Sequence, residues 1–142
     1  MRLVIQRVLK ASVSVQGEVV GEIGKGLFVL VGVGEGDTKE EAELLAEKVK
    51  KLRVMADHNG KMNLSVIDTN SSMLAVSQFT LYADTSKGNR PSFVKAAKPD
   101  LAEEIYNYFV EVLRKDVKVE TGRFGEYMEI RVELDGPVTI II

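Results

Sequence analysis

Met73-Leu74-Ala75-Val76-Ser77-Gln78-Phe79-Thr80-Leu81 is the stretch on which the fold turns. Four apolar residues in succession are what a strand buried on both faces uses. At Ser77 the pattern changes. Ser77, Gln78 and Thr80 bracket a single aromatic, Phe79, before apolar residues resume at Leu81 and Tyr82. On pattern alone this is a strand leaving the core for a polar loop. The hydroxyl and amide groups gathered where the core face ends also make it the first place to seek a site.

Upstream, Leu27 to Val31 reads as a second fully apolar strand, central and covered on both faces. Leu3 to Val8 and Ala11 to Val15 are rich in β-formers, and Gln16-Gly17 predicts a tight turn into Glu18 to Ile23. The loop Gly32-Val33-Gly34-Glu35-Gly36-Asp37 is not the dinucleotide fingerprint. Its third glycine falls one residue early, and Glu35 and Asp37 would repel a phosphate, so a flexible connection is expected. Thr38 and Glu41 have the spacing of a capping box. Ala42, Leu45, Val49 and Leu52 then give the next helix an apolar face, with Lys48, Lys50 and Lys51 assigned to solvent. Arg53 to Ala56 and Lys61 to Val66, around Asn59-Gly60, predict a hairpin.

Downstream, residues 84–98 read as a loop carrying Lys87, Arg90, Lys95 and Lys98 against one acid, Asp84. Such a loop suits either solvent or a phosphate backbone. Pro99 suits the first turn of a second helix, Asp100 to Lys115, with Leu101, Ile105, Tyr108, Phe109, Val112 and Leu113 on its core face. Val117 to Val119 follows as a short strand. Met128, Ile130, Val132 and Leu134 alternate with charged residues, predicting a half-buried strand. Gly136-Pro137 then interrupts the pattern and forces a turn, bulge or edge. The closing Ile140-Ile141-Ile142 is expected to dock in a sheet or an interface. The expected fold is α+β, an antiparallel-rich sheet or barrel with two packed helices, in one domain spanning 1–142.

Composition narrows the function. With 142 residues, 45% hydrophobic and 28% charged, the chain has an ordinary globular balance and can bury roughly 68–70% of its unfolded surface. A net charge of −2 gives no global field for nucleic acid, so any RNA contact must be local. There is no cysteine, and His58 is the only histidine. Thiol nucleophiles and the usual zinc sites are therefore excluded, and a histidine-based triad would have to be built on one turn. No metal or other cofactor is expected. The N-terminus is too short and charged for a signal peptide, and no apolar run approaches a bilayer span, so a cytoplasmic protein is expected.

Ser77-Gln78-Phe79-Thr80-Leu81 and Gly136-Pro137-Val138-Thr139, in that order, resemble the D-aminoacyl-tRNA deacylases, the D-tyrosyl-tRNA(Tyr) deacylase family. The likeness extends through Gln6-Arg7-Val8, Ala11-Ser12-Val13, Gly60-Lys61-Met62-Asn63, Arg90-Pro91-Ser92-Phe93 and Thr121-Gly122-Arg123-Phe124. So many short matches in order are specific where any one would not be. One departure is Leu134, where the family often has Asn.

The resemblance implies a homodimer that hydrolyses the ester joining a D-amino acid to the 3′ end of tRNA. It further implies a cis Gly136-Pro137 peptide that reaches into the other subunit's pocket to exclude L side chains, held in place by Arg7. Such a filter should pass glycine, including glycine mischarged on tRNA(Ala). Ser77, Gln78, Phe79 and Thr80 are the expected catalytic segment, with either Thr80 as nucleophile or water attacking while backbone N–H groups hold the oxyanion. Phe124 and Met128 match the adenosine side, and Lys87, Arg90 and Lys95 are candidates for tRNA phosphates. The rival readings are an editing deacylase for another misattached amino acid and a non-catalytic tRNA-binding module.

Overall fold

A computed structural model describes all 142 residues. Along the chain the elements are β1 (Arg2–Val15), β2 (Glu18–Ile23), β3 (Gly26–Gly32), α1 (Lys39–Lys51), β4 (Met55–Ala56), β5 (Met62–Leu64), β6 (Ser72–Ser77), a 3₁₀ turn (Phe79–Tyr82), α2 (Pro99–Arg114), β7 (Val119–Thr121) and β8 (Glu129–Ile141). The spine is β1. β2 and β3 run antiparallel along one of its edges and β8 antiparallel along the other. The sheet continues from β3 to β6 and β7 through parallel pairings. β2 packs back against β6 and β7, so the sheet nearly closes into a barrel. The expected mixed architecture, antiparallel-rich with two helices, is the one observed.

Alternation explains the layers. Leu27, Val29 and Val31 of β3, with Met73 and Ala75 of β6, face the helices and join Val49, Ile105 and Phe109 in the larger core. Phe28, Leu74 and Val76 point the other way, into the barrel interior with Val8, Val13 and Ile23. Both strands are thus covered on both faces, which is why they read as unbroken apolar runs. The Gln16-Gly17 turn takes positive φ at both residues (51° and 83°), the geometry that matches the twist of a two-residue hairpin.

The helix signals hold. Glu41 N–H donates to Thr38 Oγ1 at 3.3 Å and Thr38 N–H to Glu41 Oε2 at 3.0 Å, completing the capping box. Pro99 opens α2. Lys50, expected in solvent, is instead buried between the helices. Its ammonium reaches Glu47, Asp116 and the Val112 carbonyl, so the stem packs in the core while the charge is met at its rim. Leu101, expected in the core, is 40% exposed, one turn before α2 settles onto the sheet.

Two further segments differ from expectation. The Gly32–Asp37 loop is tied down rather than loose. The Asp37 carboxylate accepts from Gly34 N–H at 2.6 Å and lies 2.7 Å from the Met1 amino group. The short strand expected at Val117 starts at Val119. Gly136-Pro137 falls within the expected alternatives of turn, bulge or edge: it lies inside β8, which pairs only with β1, at a register shift opposite Arg7. Beyond it the chain terminus docks as expected, Leu3 N–H donating to Ile142 O at 2.7 Å and Ile142 N–H to Leu3 O at 3.0 Å.

Candidate active site

Where β6 ends, the chain coils tightly instead of entering an open loop. Gln78 N–H makes a last sheet-like bond to Val31 O (2.8 Å), and the first bond of the 3₁₀ turn is Leu81 N–H to Gln78 O (3.3 Å). The amides of Phe79 and Thr80 precede that bond, so neither has a partner inside the turn. The far end is clamped. Arg2 donates to Leu81 O at 2.9 Å and lies 4.6 Å above the Tyr82 ring, whose hydroxyl is 3.3 Å from Asp37. Burial, then the Asp37 charge and hydrogen bond, push the Tyr82 phenol up to about 12, so it remains a neutral donor.

This turn forms one wall of a cavity of about 560 Å³. Ser77, Gln78 and Phe79 line it on that side, and Phe124, Tyr127 and Met128 line it on the other. Ala97, Pro99, Ala102 and Tyr106 contribute the α2 side. The Tyr106 hydroxyl points away, donating to Ala75 O at 3.0 Å, and burial raises its pKa. Phe93 meets Phe79 edge to face, with centroids 5.0 Å apart at 71°, a favourable aromatic arrangement. A Cβ on Gly122 would lie 2.4 Å from the Met128 sulfur, so glycine there lets Met128 close over the cavity. The lining is mostly apolar with a few polar groups at one end, which suits a flat base beside a polar reacting centre.

Of the residues singled out in the sequence, Ser77, Gln78, Phe79, Phe124 and Met128 converge here. Thr80 stands exposed beside the cavity, its hydroxyl accepting a hydrogen bond from the Gln78 side-chain amide. Gly136, Pro137 and Arg7 do not line it. The Gly136-Pro137 peptide is cis. Gly136 has φ 141°, and a Cβ there would lie 2.6 Å from Val138 N, so the position requires glycine. Arg7 supports the segment beside it, donating to Val54 O at 2.8 Å and lying 3.0 Å from an Asp135 carboxylate oxygen.

The basic loop is anchored but its charges are open. Asp84 and Ser92 exchange backbone bonds of 2.8 and 2.9 Å, and Ala97 N–H donates to Val33 O at 3.0 Å. Lys95 lies 3.5 Å from Asp84, whereas Lys87 and Arg90 are exposed and form no ion pair within the chain. The aromatic cavity residues that sequence reading did not single out are Phe93, Tyr106 and Tyr127. Phe93 was quoted only as part of a motif, and on α2 the tyrosine assigned to the core face was Tyr108, whereas Tyr106 is the buried one. Tyr127, 86% exposed, had no periodic signal.

The D-Tyr-tRNA(Tyr) deacylase family model matches residues 4–142. A Bacillus licheniformis protein named D-aminoacyl-tRNA deacylase is 59% identical over 143 residues, covering 100% of this chain and 97% of that protein. A Thermosipho melanesiensis protein of the same name is 51% identical over 144 residues, covering 100% and 96%. Among solved structures, one titled c-Myc DNA Unwinding Element Binding Protein superposes with a TM-score of 0.94 at 44% identity, covering 100% of this chain and 97% of that one. A probable eukaryotic D-amino acid tRNA deacylase shares the fold, with a TM-score of 0.86 at 16% identity over 99% and 97% of the two chains.

Proposed function

The chain belongs to the D-Tyr-tRNA(Tyr) deacylase family and is a hydrolase of the ester bond in D-aminoacyl-tRNA, and from that premise we propose how its residues perform and restrict the reaction. The observation that carries the reading is the cavity that brings Ser77, Gln78 and Phe79 opposite Phe124 and Met128. In this reading the terminal adenine lies between Phe124 and Met128, and Ser77 and Gln78 orient the ribose or the amino group. The aminoacyl ester then sits over the Phe79–Thr80 backbone.

Water adds to the ester carbonyl, and the bond from that carbon to the ribose oxygen breaks. The ribose oxygen leaves with a proton, and the neighbouring ribose hydroxyl assists the proton transfers. The backbone N–H groups of Phe79 and Thr80 stabilise the oxyanion, a role worth roughly 10²–10³ in rate per donor. Thr80 is a poor nucleophile here. Its hydroxyl is paired with a neutral amide rather than a base, and the single histidine, His58, lies in an exposed turn.

Selectivity falls to Gly136-Pro137. These residues do not line their own chain's cavity, which supports a homodimer in which each copy supplies the pair to the other, with Arg7 and Asp135 bracing it. A backbone wall occupies the space that an L side chain needs and does not collide with glycine. Glycyl-tRNA, including glycine on tRNA(Ala), is therefore a substrate in this reading. Lys87, Arg90 and Lys95 contact acceptor-stem phosphates, the whole of 1–142 acts as one deacylase domain, and the cytoplasm is the compartment where its substrate is found.

Hydrolysis of D-Tyr-, Gly- and L-Ala-tRNA by the purified protein tests the reading. D-Tyr- and Gly-tRNA should be cleaved and L-Ala-tRNA spared. Preferred cleavage of L-Ala-tRNA would make it a different editing deacylase. Salt-sensitive binding without cleavage of any substrate would make it a tRNA-binding module.

A further inference from the structure

A second groove of about 270 Å³ adjoins the adenosine cavity and shares Tyr106 and Phe124 with it as a common wall. Glu103, Asn107 and Glu111 recur four residues apart along the α2 face that lines it, with Arg114 one turn further on. None of the side chains of Glu103, Asn107 and Glu111 has a hydrogen-bond partner within the chain. Their helix neighbours do: Glu104 pairs with Lys39, and Arg114 donates from Nε and Nη2 to Val119 O at 3.3 and 3.4 Å. The groove thus presents carboxylate acceptors, an amide and a fixed guanidinium beside an aromatic ring.

Resting on the deacylase reading, we propose that this groove receives the base of the cytidine preceding the terminal adenosine of the tRNA. The wall that Tyr106 and Phe124 share places the groove directly beside the adenosine cavity, where the neighbouring nucleotide of the strand lies. Glu103 and Glu111 against Arg114 leave the groove net negative, which disfavours a phosphate and favours a neutral base. The Watson–Crick edge of cytosine carries an amino donor beside two acceptors. Glu111 or Glu103 accepts from the amino group, the pairing that carboxylates make with cytosine, and Asn107 and Arg114 donate to the acceptors. Phe124, already beside the adenine, offers its ring edge or face to the unstacked base, as aromatic side chains do for single-stranded RNA ends. The enzyme then reads the acceptor terminus as a dinucleotide, and α2 sets both positions.

The test uses three chemically D-aminoacylated minimal substrates: adenosine, CpA and UpA. Wild type should cleave the CpA ester with a KM about 10-fold below those of the other two and a similar kcat. Glu111→Ala and Asn107→Ala should raise KM for the CpA ester toward that of the adenosine ester and leave kcat on the adenosine ester in the wild-type range. Equal KM values for all three substrates, or a CpA preference that survives both substitutions, would overturn the cytidine subsite. Calorimetric binding of unacylated CpA against adenosine decides the groove independently of cleavage. Absence of cleavage with tight, cytosine-specific CpA binding would refute the deacylase reading and keep the subsite. Absence of both would overturn each.

Discussion

At the residue scale, Thr80 decides between two chemistries. Its position after Phe79 invites a nucleophile role, yet the hydrogen bond it receives from the Gln78 amide occupies a lone pair instead of removing a proton. If the backbone amides carry the oxyanion, Thr80→Ala keeps those amides and loses only a hydroxyl. Its kcat on D-Tyr-tRNA should then fall by less than about 10-fold. A nucleophile would show a loss of 10³ or more with KM unchanged, because removing the reacting group abolishes a covalent route outright. Single-turnover kinetics separate the two. Ser77 and Gln78 stood out in the sequence because polar residues interrupt an apolar strand there, whereas Phe124 and Met128 came only through the family resemblance, Met128 reading by itself as the start of an alternating strand. Tyr106 did not stand out: the apolar stripe of α2 was read through Tyr108, whereas the structure buries Tyr106 and uses its ring to wall the cavity.

At the element scale, the two helices are tied through Lys50. Its burial was invisible in sequence because lysines at the end of a helix fit solvent and dipole equally well. The structure instead threads the side chain between α1 and α2 to reach Glu47 and Asp116. Lys50→Ala leaves a void and should destabilise the protein by about 2–3 kcal/mol in urea melts, whereas Lys50→Met, of similar volume, should cost under about 1.5 kcal/mol. The pH dependence follows from the partners. Burial lowers the Lys50 pKa, but the Asp116 and Glu47 carboxylates outweigh it and hold it above the ordinary lysine value of 10.5. A raised folded-state pKa means that its electrostatic contribution is full below 10.5 and fades as pH rises through the folded value. Hydrogen bonding to Lys50 and Lys51 holds Glu47 below the ordinary glutamate value of 4.5, so its contribution is present above 4.5 and fades as pH falls. The gap between wild type and Lys50→Met should therefore be flat from about pH 5 to 10 and change only outside that window. The central strands, by contrast, were readable, since burial on both faces leaves no room for a polar residue in Leu27–Val31 or Met73–Val76.

At the scale of the whole molecule, β8 leaves apolar side chains open to solvent. Its alternation predicted a half-buried strand, yet Ile130 is 36% and Leu134 45% exposed, and Ile141 is 73% exposed. The sequence pattern reflected a face that one chain does not cover. The Gly136-Pro137 pair lies on that same strand, away from the cavity of its own chain. Both facts have one explanation if a second copy packs there and receives the pair. The consequence is a complementation experiment. Gly136→Ala should distort the pair, because its Cβ would meet Val138 N at 2.6 Å, and homodimers of this variant should cleave L-Tyr-tRNA as well as D-Tyr-tRNA. Ala102→Trp places an indole in the cavity, and its homodimers should cleave neither. In a purified heterodimer of the two chains, the only open cavity belongs to the Gly136→Ala copy, and it receives the intact Gly136-Pro137 of the other. That cavity should regain rejection of L-Tyr-tRNA at about half the wild-type D-Tyr-tRNA activity per dimer. If the pair acts within its own chain, the heterodimer stays as indiscriminate as Gly136→Ala alone, and the composite site is wrong.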